Sequence, residues 1–209
     1  MARIEKLLFI TLFAFMIIAL ISPSMQGIAR AESTNVLPPI TKYTIVENSK
    51  KIDLQQKLNC KSIKVEFPKS SDEIFSKNII YQKGLQKNSY YFSKWYETPN
   101  YMLYSSILSL LQRDKVCKKV LPEDFNGDTE YVLSINILDF VQKFSNEKSY
   151  AKIGVVFYIS DKSGNIIAQK LFNESVKCSS NDAIGAVKAF NKTTDKLMQE
   201  FIVWLERVL

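Results

Sequence analysis

Residues 131–140 read YVLSINILDF and residues 150–176 read YAKIGVVFYISDKSGNIIAQKLFNESV. Tyr131, Leu133, Ile135 and Ile137 alternate with smaller or polar residues in the first run. Ala151, Ile153, Val155, Phe157 and Ile159 do the same in the second. A period of two, carried by β-branched and aromatic residues, is the pattern of a half-buried strand. Asp161-Lys162-Ser163-Gly164 is a tight hairpin turn, and residues 165–176 return as a third long strand. Three antiparallel neighbours of this length form the centre of a sheet. Val132, Leu138, Val156 and Tyr158 fall on its opposite face, which makes that face a candidate contact surface.

Downstream, the period changes from two to three-and-four. Val187, Phe190, Thr194, Leu197, Phe201, Trp204 and Val208 share one side of a helix, and Ser180-Asn181-Asp182 can cap it. Lys188, Lys192, Asp195, Lys196, Gln199 and Glu206 fall largely on other faces. Mixed charge there favours packing along the sheet over lying on a membrane.

Upstream, Ser62 to Phe67 alternates as a strand that Pro68 ends. Short strands are predicted at 42–46, 78–82, 89–95 and 116–121, and a loop or short helix at 48–59. Thr98-Pro99-Asn100 opens a helix whose Leu103, Ile107, Leu110 and Leu111 recur at helical spacing. The expected fold is α+β: an antiparallel-rich mixed sheet covered on one face by two helices, the C-terminal one long.

The 209 residues suffice for one domain and a targeting segment. They contain no histidine, which removes Ser-His-Asp and Cys-His nucleophiles, histidine zinc sites and histidine acid–base chemistry. Three cysteines cannot make an all-thiolate zinc site. No GxxxxGK[ST], GxGxxG or GxSxG occurs. Asp124, Asp128 and Glu130 around Asn126-Gly127 lack calcium-loop spacing and read as a solvated turn. Neither catalytic residues nor a cofactor or metal site is expected, and binding is the default role. The formal charge of +7 comes without a dense Lys/Arg cluster, so nucleic acid is not an expected partner.

At the N-terminus, Arg3 and Lys6 precede an apolar run from Leu7 to Ile21, and Ala29-Arg30-Ala31 offers a cleavage site. Residues 1–31 are read as a secretory signal peptide, with an uncleaved inner-membrane anchor as the alternative, and residues 32–209 as a single extracytoplasmic domain. The first cysteine is Cys60, so no lipobox follows the apolar run and lipidation is not expected. In an oxidising compartment one disulfide is expected; Cys117 and Cys178 both flank strand-like segments and are the chosen pair, with three separate thiols as the alternative.

Tyr90, Tyr91, Phe92, Trp95, Tyr96, Tyr101 and Tyr104 form the densest aromatic cluster. Aromatic side chains dominate contact hot spots, and Tyr90, Tyr91, Trp95, Pro99 and Tyr101 are the candidate interface. Filling the junction between strand and helix is the competing role.

The order of elements resembles the ABC-type transport auxiliary component family, the group like paraquat-inducible protein C. The likeness spans about residues 40–209 and rests on Tyr90-Tyr91-Phe92-Ser93-Lys94-Trp95 with Pro99 and Leu103, on the strand ending in Asp139-Phe140, on the hairpin around residues 161–172, and on Ala186, Ala189, Phe190, Asn191 and Trp204 in the last helix. The resemblance implies a non-catalytic periplasmic partner of mammalian-cell-entry-type ABC transporters, which move phospholipids across the Gram-negative envelope. Its implied partners are the mammalian-cell-entry-domain substrate-binding protein with its permease and ATPase, a phospholipid or membrane surface, and further copies of itself. Many such proteins are outer-membrane lipoproteins, and this chain departs from them at the missing lipobox cysteine. Another envelope assembly scaffold and a secreted effector are the alternatives.

Overall fold

β6 (Tyr131–Ser145) and β7 (Lys148–Asp161) form the spine, an antiparallel hairpin in register from Tyr131 opposite Asp161 to Ser145 opposite Lys148. A computed structural model describes residues 37–46 and 60–209, and the leader at 1–31 and the segment 48–59 lie outside the described residues. Asn146 takes φ 54° in the turn, a left-handed conformation that asparagine tolerates. β8 (Ile166–Lys177) pairs antiparallel with β7. In the connecting turn, the Asp161 carboxylate accepts from the backbone N–H groups of Ser163 and Asn165 and from the Asn165 amide. Those hydrogen bonds hold the Asp161 carboxyl below its ordinary pKa.

The far edge of β6 is divided between two partners. Its start pairs parallel with β2 (Ser62–Val65) and its end with β3 (Asn78–Lys83). Between them, Lys69 bridges to Asn136. β3 turns through Gly84, at φ +60°, into the antiparallel β4 (Gln86–Trp95). β1 (Thr41–Tyr43) adds parallel to β4, and β5 (Lys119–Leu121) parallel to β2. The sheet is thus mixed, with long antiparallel ladders and parallel pairs of three residues each.

A bulge in β6 sorts its side chains. Strict alternation from Ile137 would turn Asp139 inward. The register instead shifts between Ile137 and Asp139, leaving Leu138 as the extra residue on the outer face. Asp139 then faces outward, where the Lys152 ammonium donates to it at 2.7 Å, and Phe140 returns to the core. Gly154 stands opposite Asp139, and a Cβ there would lie 3.2 Å from the carboxylate and 3.0 Å from the Asn173 amide oxygen. A larger residue there would make the Asp139 and Asn173 side chains give by a few tenths of an ångström.

Two helices cover the inner face. α1 (Pro99–Arg113) begins at Thr98, whose hydroxyl accepts from the Tyr101 N–H, and places proline at its first position. It buries Met102, Leu103, Ile107, Leu110 and Leu111. α2 (Ala183–Val208) starts at Asp182, whose carboxylate accepts from the Gly185 N–H at 2.7 Å. Gly185 is forced by contact: an added Cβ would collide with the Ser180 backbone. Phe190 of α2 stacks on Phe140 at 4.6 Å, and Trp95 meets both rings edge-on. Further along α2, Phe201 packs on Phe157 at 4.4 Å. The α+β architecture with a long C-terminal helix is as expected.

The expected disulfide is corrected. Cys60 is bonded to Cys117, not Cys117 to Cys178. β2 and β5 are parallel neighbours, and the Lys118 N–H donates to the Cys60 carbonyl, so the two cysteines enter adjacent strands side by side. Cys178, the residue after β8, is a buried free thiol.

Candidate binding surface

The aromatic cluster divides by depth. Trp95 is 1% exposed and Pro99 is buried, so neither can meet a partner; both belong to the core. Tyr91 and Tyr101 are 69% and 52% exposed, on β4 and α1 respectively. Tyr90 is half-buried. It stands five residues before Trp95, an odd spacing that a regular strand would put on opposite faces. The register break between Asn78 and Ile80 lets both face inward. The five residues expected to form one interface therefore separate into core, network and surface.

Tyr90 begins a chain of hydrogen bonds across four segments. Its hydroxyl donates to Gln142 Oε1 at 2.7 Å, and Gln142 Nε2 donates to Ser149 Oγ at 2.8 Å. Ser149 Oγ donates to Asn181 Oδ1 at 2.8 Å, and Asn181 Nδ2 donates to the Glu147 carbonyl. Gln142 and Ser149 are fully buried, so these partners replace water. Burial first, then the nearby Asp182 and Cys178, push the Tyr90 phenol up to about 12. Burial also raises the Cys178 thiol, keeping it protonated and a poor nucleophile. The network joins β4, β6, β7 and the entrance of α2; its side chains are engaged with one another.

The outer face of the sheet keeps the apolar strip read from the sequence. Leu138 is 49% exposed at the bulge. Val156 lies opposite Leu171, itself 50% exposed, and Val132 and Tyr158 are half-buried. The sequence alone does not mark Leu171, because β8 alternates less cleanly than its neighbours.

Clefts open on either side of the exit from β1. One of about 230 Å³ lies against α1 and includes Tyr101, Met102 and Glu97. The other, about 620 Å³, lies between Thr44 and Val46, the end of β8 and the first half of α2, and its charged lining is Lys177, Lys188, Lys192 and Asp195. In the sequence, Lys188 and Lys192 fall on helix faces away from the apolar stripe. Their i,i+4 spacing was the available signal, but the wall opposite them comes from residues far away in the chain. Among the described residues no group of acidic or thiol side chains is placed to hold a metal ion, and no helix is long and apolar enough to cross a membrane.

No family model matches the chain, and no curated protein matches it. Solved structures do. Protein XCC0632 from Xanthomonas campestris, described by the family model DUF330, is 16% identical with a TM-score of 0.73, over 80% of this chain and 96% of that one. An uncharacterized protein is 12% identical with a TM-score of 0.62, over 78% and 97%. A minor lipoprotein from Acinetobacter baumannii is 12% identical at a TM-score of 0.43, over 72% and 95%. The likeness to the first two shows the fold alone. The family resemblance drawn from the sequence is corrected here: the neighbour at 0.73 carries the DUF330 description and not that of a transport auxiliary component. The physical reason lies in the residues that carried it. Trp95, Pro99, Leu103, Phe140, Ala186, Ala189 and Phe190 are all buried, so their order reports how the sheet and helices pack, not what the surface docks on.

Proposed function

We propose that this protein is an exported, non-catalytic binding domain of the cell envelope, residing in the periplasm and acting by docking on other envelope components. The observation that carries the reading is the Cys60–Cys117 bond. Disulfides persist in oxidising, extracytoplasmic compartments, in agreement with the secretory leader read at residues 1–31. Docking is supported by the outer face, where Leu138 and Leu171 offer apolar area beside Val156. It is supported too by the buried polar groups, which are spent on structure: Tyr90, Gln142, Ser149 and Asn181 satisfy one another.

In its finer form the partner is a lipid-transport assembly, a mammalian-cell-entry-type substrate-binding protein with its permease and ATPase. The export leader and the apolar outer face support this form, and self-association is compatible with it. Photocrosslinking from positions 138 and 171 in intact cells, followed by native purification, tests both levels. Recovery of those transporter subunits from the periplasmic fraction is expected. Recovery of an outer-membrane assembly component would keep the docking role and replace the partner. Release into the medium, or a reduced Cys60–Cys117 pair in cells, would remove the envelope reading altogether.

A further inference from the structure

The loop between β5 and β6 carries an inference that goes beyond the docking reading and stands without it. A glutamate fixes it at each end. At its start the Glu123 N–H donates to the Tyr104 hydroxyl at 2.8 Å, and the Glu123 carboxylate accepts from the Phe67 N–H at 2.8 Å. At its end the Glu130 carboxylate accepts from the Lys61 N–H at 2.6 Å, and the Glu130 N–H donates to the Ser62 hydroxyl at 3.0 Å. Asn126-Gly127 lies between these anchors, and both residues are exposed. Among the described residues neither the Asn126 carboxamide nor the Gly127 N–H has a hydrogen-bond partner. The dipeptide can therefore turn without breaking a bond of the fold.

That freedom matters because the pair is chemically reactive. The main-chain nitrogen that follows an asparagine can close a five-membered ring on the asparagine side-chain carbonyl. A side chain on the following residue crowds this approach, and glycine has none. Asn126 is the chain's only asparagine followed by glycine. Other exposed asparagines precede larger residues and are held. Asn88 precedes Ser89 and is paired with Tyr81 in the β3–β4 ladder. Asn165 precedes Ile166, and its amide donates to Asp161. Asn173 precedes Glu174 and stands opposite Gly154 in the β7–β8 ladder.

We propose that Asn126 is a site of spontaneous deamidation, passing through a cyclic imide with Gly127 and ending chiefly as isoaspartate. The Gly127 nitrogen gives its proton to solvent and attacks Asn126 Cγ. A new C–N bond forms there as the bond from Cγ to the carboxamide nitrogen breaks, and that nitrogen takes a proton from solvent and leaves as ammonia. Water then adds to one of the two imide carbonyls and opens the ring. Addition at Cγ returns aspartate. Addition at the main-chain carbonyl leaves the chain running through the side-chain carbons, as isoaspartate. One water is consumed and one ammonia released, with no change of oxidation state. The product places a new carboxylate between Asp124 and Asp128. Gly127 and Asp128 border the outer-face groove that also holds Lys64, Glu66, Asp161 and Lys162, so the modification changes the charge of that groove.

The test incubates the full, oxidised chain at neutral pH, native and in urea, and follows each asparagine by peptide mass mapping. Isoaspartate is read by methyl transfer from S-adenosylmethionine with isoaspartyl methyltransferase. In the native protein Asn126 should convert ahead of Asn88, Asn165 and Asn173, and at a rate close to that in urea. Isoaspartate should exceed aspartate in the product. G127A and N126Q should lose the signal at position 126 while keeping the wild-type urea midpoint. A Cβ at 127 meets only the edge of the Phe125 ring, at 2.8 Å, and that exposed ring can turn aside. Conversion confined to urea would mean that the folded loop holds the pair apart. An all-aspartate product would mean direct hydrolysis of the side chain without the Gly127 nitrogen. Either result, or an undiminished signal in G127A, would overturn the proposal.

Discussion

Trp95 concentrates a large share of the packing in one side chain. It meets Phe140 at 5.7 Å and Phe190 at 5.5 Å, joining the end of β4, the post-bulge half of β6 and the start of α2. Truncating a buried tryptophan costs about 3–5 kcal/mol. Trp95→Ala should lose that much in urea unfolding, whereas Tyr91→Ala, exposed on the same strand, should stay within about 0.5 kcal/mol of wild type. Equal effects would mean that the two rings share one environment. Tyr90 gives a second residue-scale prediction. Its folded pKa is raised to about 12 from an ordinary value of 10.0, so the native state favours the neutral phenol. The associated stability is complete below pH 10 and is lost as pH rises towards about 12. Ultraviolet difference titration should show a late-ionising tyrosine that Tyr90→Phe removes; a wild-type curve with no late step would contradict the burial of this hydroxyl.

At the scale of elements, the entrance to α2 is the most constrained joint. Asp182 accepts from Gly185 N–H and from Ser180 Oγ–H, and these bonds hold its carboxyl below the ordinary value of 3.8. A lowered carboxyl pKa means stability present above that ordinary value and lost as pH falls through the folded one. Asp182→Ala should cost about 0.5–2 kcal/mol near neutral pH, with the deficit shrinking in acid. Gly185→Ala should cost about 1–3 kcal/mol or more, because the obstacle is the Ser180 backbone and not a movable side chain. Chemical denaturation across pH checks both, and an Asp182→Ala deficit that ignores pH would deny the carboxylate its role. The cap at Ser180-Asn181-Asp182, the two helices and the three long strands were legible in the sequence, because each rests on local periodicity or turn chemistry. The bulges were not: Leu138 looks like any strand residue, and only the inward return of Phe140 reveals the shift. The parallel pairing of β2 with β5 was equally hidden, and with it the Cys60–Cys117 bond, because it joins segments that no local signal connects. The lysine cleft fell between the two cases, its helical half readable and its opposite wall not.

For the whole molecule, these elements divide into two unequal parts. β6, β7, β8 and α2 share ladders of eleven or more residue pairs and the aromatic stacks. β2 is held to β6, and β5 to β2, by parallel ladders of three residues each, α1 packs over this side, and the disulfide closes it. Cross-linking a loop of 57 residues restricts the unfolded chain by roughly 4 kcal/mol. Domains of this size have about 5–15 kcal/mol in total, so the bond is a large fraction of what holds the fold. Its loss should fall unevenly. Short ladders open locally at lower free energy than long ones. In Cys60→Ser/Cys117→Ser, amide exchange should rise first in β2, β5 and α1, while β7, β8 and α2 keep most of their protection. Exchange measured by mass spectrometry in oxidised and variant protein separates the outcomes. Uniform loss of protection would mean that the sheet and both helices unfold as one unit, and protection unchanged everywhere would mean that the bond adds nothing to parallel pairing already stable without it.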